Sequence, residues 1–254
     1  PPAGDLKAGV EKLGPGEEWL VQPRINDANP CLVSPGVKWG VRPGAPTHLT
    51  ELFGPVLSVM CFDTLDDAID LIHQTGYGLT SGIETLDERE QDHWQRRVRA
   101  GNLYINRPTT GAIVLRQPFG GMGLSAFGPG IKAGGPSYVA QLMDFEETAA
   151  PEGSDLTNEK IKALAKRVPS VEPTLRSYTQ QAREEFLAEH DHLRLLGQDN
   201  PRRYLPIERL CICLHDDDTN HETAARLGAA HAVGCDVSIT GPGAEDWSDF
   251  AQVV

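Results

Sequence analysis

Five consecutive residues, Glu51-Leu-Phe-Gly-Pro55, carry the pattern best suited to chemistry. A carboxylate at Glu51 can accept two hydrogen bonds from the hydroxyls of a ribose, and Phe53 offers a flat apolar face to a planar ring. A surface glutamate and a core phenylalanine around a turn would read the same way in five letters. A second candidate is the stretch from Arg107 to Gly135, which holds many glycines and prolines and no sustained period of 2 or 3.6. Irregular segments of that length in compact domains are functional or disordered. Ile113, Val114, Leu115 and Phe119 give this one buried-looking apolar content, which favours function.

A third group, Cys211, Cys213, His215, His221, His231 and Cys235, contains metal-ligating residue types. Cys-x-Cys on a strand places both thiols on one face without tetrahedral closure, so core cysteines, solvated histidines and no metal site are expected. The junction from His215 to Thr219 has no glycine and offers Asp216, Asp217 and Asp218 where a phosphate would sit. Those charges suit a helix N-terminus, not a dinucleotide. Cys31, in "NPCLVS", and Cys61, in "VMCFD", complete the thiols. Cys61 falls in an apolar run and is expected in the core.

The elements that must position these residues can be read from pattern. Trp19 to Ile25 is extended and is followed by a Pro/Gly-rich passage, and Val56 to Phe62 is a strand. Thr64 with Asp67 three positions on resembles a capping box, after which Ala68, Ile69, Leu71 and Ile72 recur on one face until Gly76 stops the helix. Gly78 to Glu84 reads as a strand, Leu86 to Ala100 as a charged surface helix and Asn102 to Asn106 as a strand, an α/β signature. Ser137 to Phe145 is a further strand candidate, and Glu146 to Asp155 reads as a linker. Asn158 to Arg167 and Pro173 to Leu193 look helical, the latter with proline in its first turn. Arg209 to Leu214, Thr219 to Val233 ended by Gly234, and Asp236 to Thr240 form one βαβ unit. One such unit cannot cover both faces of a parallel sheet.

Composition narrows the classes. The 254 residues allow one large domain or two ordinary ones, and 39% hydrophobic with 23% charged residues describes a globular chain. A net charge of -13 disfavours nucleic-acid and membrane-surface partners. No run approaches the roughly 20 apolar residues of a spanning helix. Five cysteines in no dense framework indicate reduced thiols and a cytoplasmic setting. The beginning, Pro-Pro-Ala-Gly-Asp, has neither signal-peptide features nor an initiator Met and reads as the middle of a longer protein.

Taken in order, Glu51-x-Phe-Gly-Pro, "YGLTSGI" at 77–83, "GNLYIN" at 101–106 and "PFGGMGLSAFG" at 118–128 resemble the aldehyde dehydrogenase superfamily. "NRPTTGAIVLRQPFGG" and "GPGIKAGGPSYVAQL" are similar to L-glutamate γ-semialdehyde (Δ1-pyrroline-5-carboxylate) dehydrogenases, especially the modules fused to proline dehydrogenase in bifunctional PutA-type flavoproteins. The resemblance implies an α/β fold with residues 1–147 as part of the dehydrogenase domain with its oligomerisation strand, 148–200 as linker and helices, and 201–254 as a partial Rossmann-like domain. It implies that Glu51 holds the nicotinamide ribose of NAD and Phe53 flanks the nicotinamide. Backbone donors of Thr110, Gly111 and Ala112 would meet the α-carboxylate of the substrate, and Phe119 would pack on its aliphatic chain. A buried carboxylate requires such donors.

Some family members carry Ser at the position of Ala112. No thiol in the chain resembles the family's nucleophile motif, so no catalytic residue is assigned here. FAD would belong to a separate proline dehydrogenase domain. Ser137 to Phe145 is expected to pair strands in a homo-oligomer. The segment "GQDNPRRYLPIERLCICLHDDD" resembles the Rossmann-type region that follows the dehydrogenase module in longer relatives, which implies assembly or channel closure. Two rival readings are a dehydrogenase for another aldehyde and a non-catalytic assembly protein derived from such an enzyme.

Overall fold

The computed structural model describes residues 1–111, 113, 116–127, 131–146, 153–205, 207 and 209–254. The chain divides into two compact units, Pro1–Gln141 and Leu142–Val254.

The first unit begins with α1 (Gly4–Glu11), an element without a distinct apolar signal in sequence. β1 (Glu18–Val21) pairs antiparallel with β2 (Gly36–Trp39). After α2 (Pro46–Leu49), β3 (Val56–Val59) pairs parallel with β2. α3 (Leu65–Gln74) starts at the expected capping box, with Thr64 and Asp67 satisfying each other's backbone N–H groups, and Gly76 follows at φ 71°. β4 (Tyr77–Gly78) and β5 (Thr80–Ile83) share the stretch read as one strand, and α4 (Glu88–Arg97) is shorter than Leu86 to Ala100. β6 (Asn102–Ile105) pairs parallel with β5, and β7 (Met122–Gly123) pairs antiparallel with β4. One face of β6 presents Leu103 and Ile105 to the cluster of Ile69, Trp94, Val98 and Ala100. Alternation then puts Asn102 and Tyr104 on the other face.

The second unit contains α5 (Glu159–Arg167), capped by Asn158, and α6 (Glu172–Gln181). The helix expected from Pro173 to Leu193 ends earlier: a π-turn at Ala182–Phe186 terminates it, and Asp191 accepts hydrogen bonds from the backbone N–H groups of Leu193 and Arg194. Local side-chain bonds of that kind compete with helical ones. β8 (Arg209–Cys213), α7 (Asn220–Ala232) and β9 (Asp236–Thr240) form the expected βαβ unit, with a capping box at Thr219 and Glu222 and Gly234 at φ 76°. A third parallel strand, β10 (Gln252–Val253), adds to β9. Ile161, Leu164 and Leu175 share one core with Ile212, Leu227, Ile239 and Trp247, so the helices of the segment read as linker are integral to the βαβ core.

Further expectations are corrected. Ser137 to Phe145 does not form a strand; it has turns and a 3-10 helix at Ala140–Leu142. A strand needs a ladder partner for its N–H and C=O groups, and none pairs with it among the described residues. Cys61, Cys211 and Cys213 are exposed. Cys61 lies just beyond the end of β3, while Cys211 and Cys213 alternate with buried Ile212 and Leu214 and so occupy the opposite face of β8. Cys235 is buried as expected, whereas His231, read as solvated, is buried as well, its imidazole Nε2 lying 2.9 Å from Phe250 O.

Candidate functional site

The candidate residues of the first unit fall on two loops. The loop between α2 and β3 carries Glu51 and Phe53, both exposed. Leu52 turns inward, where its side chain fills the space beside Gly9 of α1, and Gly54 lies against Leu6. A side chain at either glycine would collide with these leucines, so α1 clamps the loop at both sides of Phe53. Phe53 itself has φ 49° and is 87% exposed. A bulky residue at positive φ with its ring in solvent is costly on both counts. An aromatic face held outward at such a cost is available to a planar ligand. Among the described residues no side chain hydrogen-bonds the Glu51 carboxylate, leaving its lone pairs open to hydroxyl donors.

The second loop follows β6 and is fixed at several points. Asn106 adopts φ 54°, and its amide both donates to Thr85 O and accepts from Thr85 N–H, each at 2.9 Å. Asparagine tolerates this conformation because its short side chain bonds locally. The Tyr104 ring is buried, and its hydroxyl donates to Gly111 O at 3.0 Å. The Arg107 guanidinium lies 5.5 Å from the centre of the same ring. The Gln117 amide, oriented to match its neighbours, donates to Gly111 O at 2.9 Å and accepts from Arg107 Nη1 at 2.8 Å. Thr110 and Gly111 are exposed, Gly111 has φ 105°, and among the described residues nothing beyond its chain neighbours lies within 4 Å of the place a Cβ would occupy. Among the described residues the loop is therefore anchored through the Gly111 carbonyl and open where a Cβ would stand. Ala112, Val114 and Leu115 lie outside the described residues, and Ile113, read as buried, is exposed.

Phe119 is half-buried and is bracketed by Asn102, which donates to Pro118 O at 3.0 Å and accepts from Gly120 N–H at 3.3 Å. Phe119 and Ala133 exchange backbone bonds at 3.0 and 2.9 Å. Gly101 approaches Gly120 so closely that no side chain could stand there. Lys132 completes the junction, donating to Gly101 O, to Gly120 O at 3.0 Å and to Asn102 Oδ1 at 3.3 Å. Burial lowers its ammonium to about 8 from the usual 10.5. Three acceptors and no carboxylate among its described partners make this a structural clamp on the Phe119 segment.

Asn102, Tyr104, Gln117 and Lys132 are the residues that motif reading passed over. The spacing of Asn102 and Tyr104 could have disclosed them, since residues two apart on a strand share a face. Lys132 acts through a distant segment and Gln117 only through the folded loop, so neither left a local pattern. In the second unit, Asp218 caps the turn before α7, accepting from His215 N–H at 2.9 Å and pairing with Arg226 at 2.8 Å. The Arg226 guanidinium and the His215 amide hold the Asp218 carboxyl below its ordinary range. Among the described residues no group of three or more His, Cys, Asp or Glu is placed to hold a metal ion.

The profile of the aldehyde dehydrogenase family matches residues 6–147. The bifunctional protein PutA of Escherichia coli (strain K12) is 35% identical over 208 residues, 74% of this chain and 15% of that protein. PutA of Rhizobium meliloti is 50% identical over 103 residues, 40% of this chain and 8% of that protein. The 1-pyrroline-5-carboxylate dehydrogenase 2 of Bacillus subtilis (strain 168) is 36% identical over 118 residues, 46% of this chain and 22% of that protein. The structure of Proline Utilization A from Corynebacterium freiburgense superposes with a TM-score of 0.85 at 35% identity, covering 100% of this chain and 28% of that one. The chain therefore has the α/β architecture of that structure and spans less than a third of each of these relatives.

Proposed function

Because this chain belongs to the aldehyde dehydrogenase family, we propose that it contributes the nicotinamide-ribose and substrate-carboxylate contacts of an NAD-dependent L-glutamate γ-semialdehyde dehydrogenase acting in proline catabolism. The observation that carries this reading is the loop at Gly111, anchored by its carbonyl to Tyr104 and Gln117 and, among the described residues, bare where a Cβ would stand. Backbone donors on such a loop meet a carboxylate without a side chain in the way. Thr110, Gly111 and Ala112 are assigned to the α-carboxylate, and Phe119 to the aliphatic chain.

The residues present fit NAD: an outward aromatic ring at Phe53 and an open carboxylate at Glu51 suit a nicotinamide and its ribose. Bound there, NAD would accept the hydride of the oxidation. Glu51 then orients the ribose through its hydroxyls, and Phe53 shields one ring face from water. The thiol nucleophile and the base that hydrolyses the thioester are assigned to sequence outside this chain, since the exposed Cys31 and Cys61 lie in no nucleophile-like motif.

The polypeptide carrying the chain is proposed to be cytoplasmic and of the bifunctional type, with FAD in a separate proline dehydrogenase domain. Similarity to PutA proteins over 74% of the chain, beyond the span of the family profile, supports that type. Among the described residues no helix is long and apolar enough to cross a membrane. Residues 1–147 are assigned to the dehydrogenase domain, 148–200 to the connecting helices and 201–254 to the Rossmann-like region. Homo-oligomerisation is proposed through Ser137 to Phe145, where Val139, Leu142 and Phe145 form exposed apolar surface.

The test is NADH formation by the full-length polypeptide with Δ1-pyrroline-5-carboxylate, in equilibrium with the semialdehyde, and with propanal. A much higher kcat/KM for the former is expected. NADH formation from propanal alone would assign the enzyme to another aldehyde, and none from either would favour an assembly role.

A further inference from the structure

We propose that Tyr104 is the positioning residue that sets specificity for a carboxylate-bearing aldehyde, acting through the peptide at Gly111. This rests on the substrate reading above and extends it to a residue that touches no substrate.

Tyr104 is 3% exposed, on the face of β6 opposite Leu103 and Ile105. The same face carries Asn102, whose amide brackets Phe119. One strand face thus anchors both segments assigned to the substrate, Tyr104 the carboxylate loop and Asn102 the segment against the aliphatic chain. Their separation of two residues is fixed by strand geometry, so the two anchors keep a constant offset.

The Tyr104 hydroxyl donates to Gly111 O at 3.0 Å, and Gln117 reaches the same oxygen at 2.9 Å. Pinning the Gly111 carbonyl from two sides restricts rotation of the backbone at this glycine. At φ 105° Gly111 has no side chain to restrict the backbone, and no described residue beyond its chain neighbours packs where a Cβ would stand. Without a fixed carbonyl such a glycine would sample many orientations. Arg107, 5.5 Å over the Tyr104 ring and 2.8 Å from the Gln117 amide, ties the start of the loop to the same anchor. The hydroxyl therefore does for the loop what a pre-organised donor array requires: it removes the freedom that a bound carboxylate would otherwise have to freeze.

The experiment is Tyr104→Phe in the full-length polypeptide, assayed at saturating NAD with Δ1-pyrroline-5-carboxylate and with propanal. The ring and its packing stay, and only the hydrogen bond goes. KM for the carboxylated substrate should rise roughly tenfold with kcat within about twofold, while both constants for propanal stay unchanged. Gln117→Leu, which removes the second bond to the same oxygen, should give the same split on a smaller scale. Equal losses toward both aldehydes would show a merely structural tyrosine and overturn the proposal, as would no change toward either. If the unsubstituted enzyme shows no preference for the carboxylated substrate, it is the substrate reading that fails.

Discussion

Residues 142–254 and 1–141 use their apolar side chains differently. In the former, 14 buried residues form one cluster around Leu175, Leu227, Ile239 and Trp247. In the latter, the cluster beneath β6 holds four, Ile69, Trp94, Val98 and Ala100. Many large apolar side chains of 1–141 are exposed instead, including Leu20, Leu57, Phe53 and Phe127. The unit with the richer core carries no candidate substrate or cofactor residue among its described residues, and the one with the leaner core carries every residue assigned to substrate and cofactor. Local fixation replaces bulk packing there: Tyr104, Asn102, Asn106 and Lys132 hold loops by individual hydrogen bonds. Loops held in this way stay open to ligand while keeping a defined geometry.

The comparison can be broken most forcefully in the richer core. Leu175→Ala should destabilise residues 142–254 by about 2–5 kcal/mol, because Leu175 is fully buried and packs against Gly228 of α7. Hydrogen exchange on the full-length polypeptide should report lost protection in α6 and α7 and unchanged protection in β6. Equal loss in both units would mean that their cores are one.

A smaller effect is expected from Glu51→Ala, on the exposed loop. Protein stability should stay within about 0.5 kcal/mol, while KM for NAD rises roughly tenfold, or about 1.4 kcal/mol. A stability loss without a change in KM would return Glu51 to an ordinary turn.

Changes of pH sharpen the contrast with the gentlest effects. Burial depresses Lys132, so between about 8 and 10.5 the unfolded chain binds more protons than the folded one, and stability rises with pH through that window. Lys132→Met should abolish that rise. Burial, with Lys160 adding to it, lowers His231 below its ordinary 6.5, and the backbone bond to Phe250 only partly opposes this. As pH falls from 6.5 through the lowered value, the unfolded state again takes up more protons, and residues 142–254 lose stability. Thermal unfolding followed against pH should therefore show acid sensitivity that His231→Gln removes and an alkaline gain that Lys132→Met removes.

Elements with a strong local code were legible in the sequence. The capping box at Thr64 satisfies its helix end through a neighbour three residues away, and β8–α7–β9 follows from periodicity and Gly234. Elements set by distant contacts were not: Ser137 to Phe145 has strand-like composition and no ladder partner among the described residues, and the end of α6 depends on a π-turn and side-chain bonds further on. The site divides the same way. Glu51 and Phe53 stand in a contiguous motif, whereas Lys132 reaches Gly101 across 31 positions and Gln117 works only through a folded loop.

The central claim is that specificity for a carboxylated aldehyde resides in the loop at Gly111. Its most direct test is the ratio of kcat/KM for Δ1-pyrroline-5-carboxylate to that for propanal, measured on the full-length polypeptide before and after Gly111→Val. A valine is strained at φ 105° and fills the open side of the loop. The account predicts a fall of about 100-fold in that ratio, roughly 2.7 kcal/mol, with propanal oxidation retained. An unchanged ratio in a folded variant would contradict it.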